Sequence, residues 1–226
     1  MNLAELTQAY RKRSSIRAYD SSQPLDKTEL SALFEAAQQA PSWCNIQPWK
    51  IQLTAPATTK KLSEALVKEC TSAVPTPDIP FPGQYPEPYL AKRRACGGAL
   101  YGAMGIERQD KKGRWAAWLR NYEVFDAPHL AVVSREHVLG EYATLDVGVW
   151  LGFLFSAAAV ANIDMCAMAS IAAYPKVLRT HLDIPENDII LFGIAIGRRK
   201  DTAPANRCKT DRDPISSAVT FVGFES

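Results

Sequence analysis

Histidine is scarce. The chain of 226 residues holds three, His129, His137 and His181, and five cysteines, Cys44, Cys70, Cys96, Cys166 and Cys208. No histidine stands at ligand spacing from a cysteine, so no metal site is expected. The cysteines form no CxxC pair, and an odd number without a framework argues for reduced thiols and a cytoplasmic setting. Neither a GxGxxG nor a Walker A pattern occurs, which argues against a Rossmann or P-loop nucleotide site. The N-terminal stretch is polar and has no secretory h-region. The longest apolar stretch, Val147 to Ala161, falls short of the roughly 18–20 residues that span a bilayer, so no membrane partner is expected. It is apolar nearly all round and reads as a buried core helix. Charge is almost balanced, with 26 Lys and Arg against 24 Asp and Glu, and gives no case for a nucleic-acid partner.

What remains is enough for one sizeable α+β domain over residues 1–226. The coarse order is helix, loop, helix, strand, helix, insert, two helices, strand, helix, strand, helix, strand, tail. Thr58 to Ser72 reads as a helix with Leu62, Leu66 and Cys70 at four-residue spacing. Residues 75–88 then hold prolines at 75, 77, 80, 82, 86 and 88, a density no helix or central strand tolerates. This opens an ordered insert over about 75–125 that covers something. Its two helices, Leu90–Ile106 and Lys111–Phe125, join through a charged turn. The second carries Trp115, Trp118, Leu119 and Tyr122, a stripe that reads first as core. His129–Val133 and Asp164–Ala169 read as strands, and Pro175–Leu182 as a short helix.

Three segments carry chemistry. In Arg13-Ser14-Ser15-Ile16-Arg17, two arginines four apart flank a hydroxyl. Guanidinium forks fit phosphate oxygens bidentately and keep their charge, although a solvated basic turn has the same composition. In Pro41-Ser42-Trp43-Cys44-Asn45-Ile46-Gln47-Pro48-Trp49, a polar loop joins a helix capped by Asp26 and Glu29 to a strand through Trp49, Ile51 and Leu53. Asn45 and Gln47 offer both donors and acceptors, or satisfy their own backbone. In the third, the almost uncharged run Ile189–Gly197 reads as a buried strand. It leads through Arg198-Arg199-Lys200 and Pro204-Ala205-Asn206 to Lys209 and Arg212.

In this order, from residue 13 to residue 212, the three segments resemble the signature of the FMN-dependent nitroreductase family. The resemblance implies a central, mostly antiparallel sheet flanked by helices, in an interlocked homodimer with FMN at the subunit interface. Arg13, Ser14, Ser15 and Arg17 of one subunit then hold the phosphate and ribityl chain, joined by Arg212 with Lys209 beside it. Pro41, Ser42, Trp43, Asn45 and Gln47 approach the same flavin from the other subunit. Ala169 and Ser170 fall where backbone N–H groups face flavin N5. Many relatives carry a glutamate at Ala169, and only backbone donation survives that change.

The implied reaction passes hydride from NADPH or NADH through flavin N5 to a small planar acceptor, a nitroaromatic or quinone, in ping-pong fashion. No protein acid is singled out as catalytic. Trp43, Trp118 and Phe125 are candidates for the substrate pocket. Small residues at Gly148, Gly152, Ser156 and Ala159 suit close helix approach at a dimer interface or ordinary internal packing. The tail Val219–Val222 reads as a short strand that adds to the partner's sheet. Competing readings are reductive dehalogenation on the same fold, an FMN-storing or FMN-sensing protein without turnover, and a proline-rich ligand for a binding domain.

Overall fold

A computed structural model describes residues 2–224. Its centre is a four-stranded sheet in the order β1-β2-β4-β3, built from β1 (Lys50–Leu53), β2 (His129–Glu136), β3 (Asp164–Met168) and β4 (Asp188–Gly197). Every pairing is antiparallel. The runs Leu130–Val133 and Ile194–Ile196 are buried on both faces of the sheet, which explains why β2 and β4 lack polar alternation.

Helices α1 (Leu3–Lys12), α2 (Lys27–Ala37) and α3 (Pro56–Ser72) precede the insert, which contributes α4 (Tyr89–Ala103) and α5 (Lys111–Leu119). Helices α6 (Gly140–Ala161) and α7 (Pro175–Leu182) connect the later strands. Local chemistry sets the ends. Asn2 with Glu5, and Asp26 with Glu29, form complete capping boxes at α1 and α2, and α3 and α7 each begin on a proline whose missing N–H costs nothing there.

The sheet separates two cores. One face packs Leu62, Leu66, Tyr122, Phe125, Ile171 and Leu178 around Ile16 and Tyr19. The other packs α2 and α6 through Leu30, Leu33, Val147, Trp150 and Leu154. Truncating a fully buried residue such as Leu154 to alanine costs about 2–5 kcal/mol. His129 pins the rim of the second core. Its Nε2 accepts the Leu25 N–H at 3.1 Å, and its other nitrogen meets Thr54 O at 3.0 Å, so the hydrogen-bond pattern assigns the Nδ1–H tautomer.

Three expectations need correction. The apolar helix is longer than its sequence run, and with the preceding turn it is long and apolar enough, by length and composition, to cross a membrane. It is also not buried all round. Ala143, Val147, Trp150, Leu154 and Ala158 face the sheet, while Leu145, Val149, Phe153 and Val160 are 40–64 % exposed. The second insert helix ends at Leu119 rather than Phe125, and the chain then turns through Val124, Phe125 and Asp126, which all take positive φ. Arg120 clamps that turn through Glu123 at 2.5 Å and Asp126 at 2.6 Å. Finally, Val219–Val222 forms no strand with the described residues of its own chain, so only the pairing with a second copy is left for it.

The proline-rich segment is ordered yet neither helix nor strand. Asp78 ties it down, bonding Arg179 at 2.9 Å and the Ile190 N–H at 2.8 Å. Beyond it, α4 has no buried residue. Its three glycines, Gly97, Gly98 and Gly102, further weaken a helix that packing supports so little.

Candidate cofactor site

The arginine segment begins where α1 stops. Arg13 is the C-cap and turns extended. The chain then runs beside edge strand β3, its Ile16 N–H donating to Met165 O at 3.3 Å. Ile16 is fully buried and anchors the segment. Extended backbone alternates its side chains, so Ser15 and Arg17 emerge on the side opposite Ile16. Asn206 fixes the next peptide, its Oδ1 accepting the Arg17 N–H and its Nδ2 donating to Ala18 O, both at 2.8 Å.

The C-terminal segment closes on the same place. Arg13, Ser14, Ser15, Arg17, Lys209 and Arg212 all line one cavity of about 300 Å³, with Cys96 and Cys208 on its wall. With Arg11, Lys12 and Thr210 also on the wall, residues almost two hundred positions apart thus supply six cations and three hydroxyls to one small space, against the single carboxylate of Asp211. The crowding is felt electrostatically. Burial, and then the charge of Arg212, lower the Arg13 guanidinium from its ordinary value. Arg13 also lies over the Phe155 ring at 5.4 Å. Arg212 folds back on its own loop, donating to Thr210 O, Thr210 Oγ1 and Asp211 O. Beneath them, Cys166 is held in the thiol form by burial, which outweighs the opposing influence of Arg17, Ser15 and Arg13.

The second polar segment lies elsewhere on the chain, against the N-terminal half of α6. Both carboxylate oxygens of Asp146 accept the Trp43 N–H, at 3.1 and 3.2 Å. The Trp43 ring is 59 % exposed and meets Tyr142 edge-on at 4.8 Å. Ser42 Oγ accepts the Gln47 N–H at 2.9 Å. Pro41 and Asn45 are exposed beside it. The cavity around Arg13 has no wall residue from 41–47, so one chain does not bring the two segments into a common pocket.

Ala169 and Ser170 open the turn after β3. Ala169 is exposed, whereas Ser170 Oγ is buried with no hydrogen-bond partner among the described residues. Ile171 of the same turn packs on Gly193 of β4. A further cavity of about 410 Å³ lies under the insert, where Arg17 and Phe125 face Leu100 and Met104 of the α4 region and Pro204. Trp118 stacks on Trp115 at 4.7 Å, meets Tyr122 edge-on at 4.9 Å and packs on the core, which makes it part of the aromatic stripe rather than a free pocket wall.

Asp146, Gln38 and Asn206 escaped the list of candidate site residues. Asp146 had a signal, being the sole charged side chain between Glu141 and Asp164. A carboxylate retained in an apolar helix needs partners to offset its desolvation.

Comparison with known proteins identifies the family and the fold. The model of the nitroreductase family matches residues 10–198. The chain belongs to the nitroreductase family. It is 30% identical to nitroreductase NfnB of Mycolicibacterium smegmatis over 210 residues, covering 92% of this chain and 89% of that one. It is 29% identical to a 4-nitrobenzoate reductase of Nocardioides sp., covering 94% of this chain and 87% of the relative. The fold superimposes with a TM-score of 0.92, at 27% identity, on the FMN-dependent nitroreductase NfnB from Mycobacterium smegmatis in complex with NADPH, covering 98% of this chain and all of that one. The expected sheet, its flanking helices and the family itself are therefore borne out.

The donor set fits the cofactor that the family implies. A phosphate monoester is held by converging cations and hydroxyls, which is what the cavity around Arg13 and Arg17 offers.

Proposed function

We propose that this chain is an FMN-dependent oxidoreductase that takes reducing equivalents from NADPH or NADH and passes them to nitroaromatic acceptors or similar planar rings. The observation that carries the reading is the convergence of Arg13, Ser14, Ser15, Arg17, Lys209 and Arg212 on one cavity of about 300 Å³. The names of the relatives support the choice of acceptor.

FMN, when bound, supplies the redox chemistry that no side chain here can provide. The work of the protein is binding and orientation. Arg13, Arg17 and Arg212 hold the phosphate by charge-assisted hydrogen bonds, with Lys209 adding positive potential. Ser14 and Ser15 offer hydroxyls to the phosphate and ribityl oxygens. Ala169 and Ser170 offer backbone N–H groups from the turn after β3.

We propose further that the working unit is a homodimer in which Pro41, Ser42, Trp43, Asn45 and Gln47 of the second copy complete the cofactor site. Two features support this. The loop and the arginines occupy separate surfaces of one chain, and the outward face of α6 leaves Leu145, Val149, Phe153 and Val160 uncovered. Contiguous apolar surface of this kind marks an interaction face. The apolar tail, with Phe221 and Val222 exposed, is suited to add to the sheet of the other copy. Trp43 and Phe125 are the proposed walls for the acceptor ring. All five cysteines are free thiols, which supports the cytoplasmic placement we propose.

The test is the visible spectrum of the purified protein. The expected result is a yellow protein that releases equimolar FMN on heating, bleaches with NADPH or NADH and recovers with a nitroarene. A colourless chain that takes up no added FMN would refute the proposal.

A further inference from the structure

Asn45 stands at the tip of a chain of side-chain amides whose polarity is set at its buried end. The Trp49 indole is 7 % exposed, and its Nε1–H can only donate. It donates to Gln38 Oε1 at 2.9 Å. The Gln38 amide is therefore fixed, and its Nε2 donates to Gln47 Oε1 at 2.9 Å. The Gln47 amide is fixed in turn, and its Nε2 donates to Asn45 Oδ1 at 3.1 Å and to Asn45 O at 3.2 Å.

An isolated amide has two near-equivalent orientations, because its oxygen and nitrogen have almost the same shape. A donor-only group at one end removes that freedom link by link. The last amide has its oxygen turned back into the chain, and its Nδ2 is left facing away from Gln47. The backbone presents this tip. Cys44, Asn45 and Gln47 have φ of 48°, 57° and 46°, left-handed values that asparagine accepts better than most side chains. Asp146 and Ser42 hold the two ends of the loop through the Trp43 and Gln47 N–H groups.

We infer that the relay from Trp49 through Gln38 and Gln47 makes Asn45 a dedicated hydrogen-bond donor, addressed to an acceptor atom on the pyrimidine edge of the flavin. The inference rests on the flavin reading above and deepens it. Gln38 and Trp49 are positioning residues that act through Asn45. A donor aimed at that edge gains strength as electron density builds there, so the relay bears on the midpoint potential as well as on affinity.

The experiment compares the wild type with Asn45→Asp, Gln38→Glu and the double variant. Asn45→Asp replaces the donor by an acceptor. Gln38→Glu still accepts from Trp49 but cannot donate onward to Gln47. FMN affinity is read by fluorescence quenching and the midpoint potential by dye titration, with a thermal melt to confirm folding. Asn45→Asp is expected to weaken FMN binding about tenfold or more, the scale of one lost charge-free donor plus a repelled oxygen, and to lower the potential. Gln38→Glu is expected to weaken it severalfold in the same direction. The double variant is expected to bind no worse than Asn45→Asp alone, since the relay then has no donor left to orient. Losses that multiply, or an Asn45→Asp protein that binds FMN like the wild type, would overturn the inference.

The relay has a readout that needs no flavin. In the apoprotein, Gln38→Met should shift the Trp49 indole N–H resonance and speed its exchange with solvent. An unchanged resonance overturns the relay. A responsive resonance in a wild type that takes up no FMN instead overturns the flavin reading and the ligand assigned to Asn45.

Discussion

The carboxamide of Asn206 grips the backbone of Arg17 from 189 positions away, accepting its N–H at 2.8 Å while donating to Ala18 O at 2.8 Å and Lys200 O at 3.0 Å. One side chain thus ties the C-terminal segment to the arginine segment and to the end of β4. Asn206→Ala removes three hydrogen bonds at a part-buried junction. The expected cost is about 1–3 kcal/mol of stability, measured by denaturant unfolding of the apoprotein. Asn206→Asp should be no better, because a carboxylate cannot donate to the Ala18 and Lys200 carbonyls. An Asn206→Ala chain with wild-type stability and FMN affinity would show that the grip is incidental.

The cations of the cavity should act mainly on affinity. Arg13→Ala and Arg17→Ala each remove a charge-assisted donor, worth about 1.5–3 kcal/mol, so FMN binding should weaken about 10- to 150-fold. Riboflavin, which lacks the phosphate, should bind the wild type and both variants with similar weakness. If riboflavin lost as much affinity as FMN, the arginines would be contacting something other than the phosphate.

The open face of α6 makes a separate prediction. Phe153 is 40 % exposed on the same stripe as Val149 and Val160. Phe153→Glu places a charge on that face without entering either core. In light scattering the wild type should behave as a dimer and the variant as a monomer, with FMN lost along with the second copy. A monomeric wild type that retains flavin would end the dimer proposal.

Much of this was legible in the sequence, for identifiable reasons. The capping pair Asp26 and Glu29, the proline at the start of α7 and the uncharged run Ile189–Gly197 are local signals, and local physics decided them. The end of α5 was not legible, because nothing about Val124, Phe125 or Asp126 announces a positive φ. That turn is bridged by Arg120 and its two carboxylates, contacts between residues that no local pattern marks. The outward face of α6 was misread because composition reports only that a helix is apolar, not what covers each side. The arginine segment was visible as a motif, but Asp146 and the amide relay depend on contacts between residues 38, 47 and 49 and across to α6, which spacing does not encode.

Alkaline pH should unfold the protein through its buried phenols and thiols. Burial raises Tyr19 well above its ordinary value of 10.0, and its hydroxyl donates to Ala195 O at 3.1 Å. Cys166 and Cys208 are raised above 9.0 for the same reason. A group whose folded pKa is raised contributes stability that is intact below its unfolded pKa and is lost as pH climbs toward the folded value. Stability should therefore hold to about pH 9 and fall beyond it. Tyr19→Phe should cost about 1 kcal/mol near neutrality and flatten the fall above pH 10. An equally steep alkaline limb in Tyr19→Phe would assign the loss to other groups.

Gly193 should tolerate no side chain, and the reason links the sheet to the cofactor. A Cβ built there comes within 2.8 Å of three Ile171 side-chain atoms, and Ile171 is fully buried. Ile171 belongs to the turn that presents Ala169 and Ser170, so the clash cannot be relieved without shifting that turn or β4. Gly193→Ala is expected to lose about 1–3 kcal/mol, with weakened FMN binding in whatever fraction folds. Gly98→Ala in α4 is the matched control, because a Cβ there meets nothing within 4 Å. Removing a glycine from a helix interior should leave stability unchanged or raise it by about 0.5–1 kcal/mol. Thermal melts of the two apoproteins decide the matter. If both alanines melt like the wild type, Gly193 is not packed as tightly as the contact with Ile171 requires. If Gly193→Ala melts early but binds FMN normally once folded, the turn after β3 is not part of the flavin site.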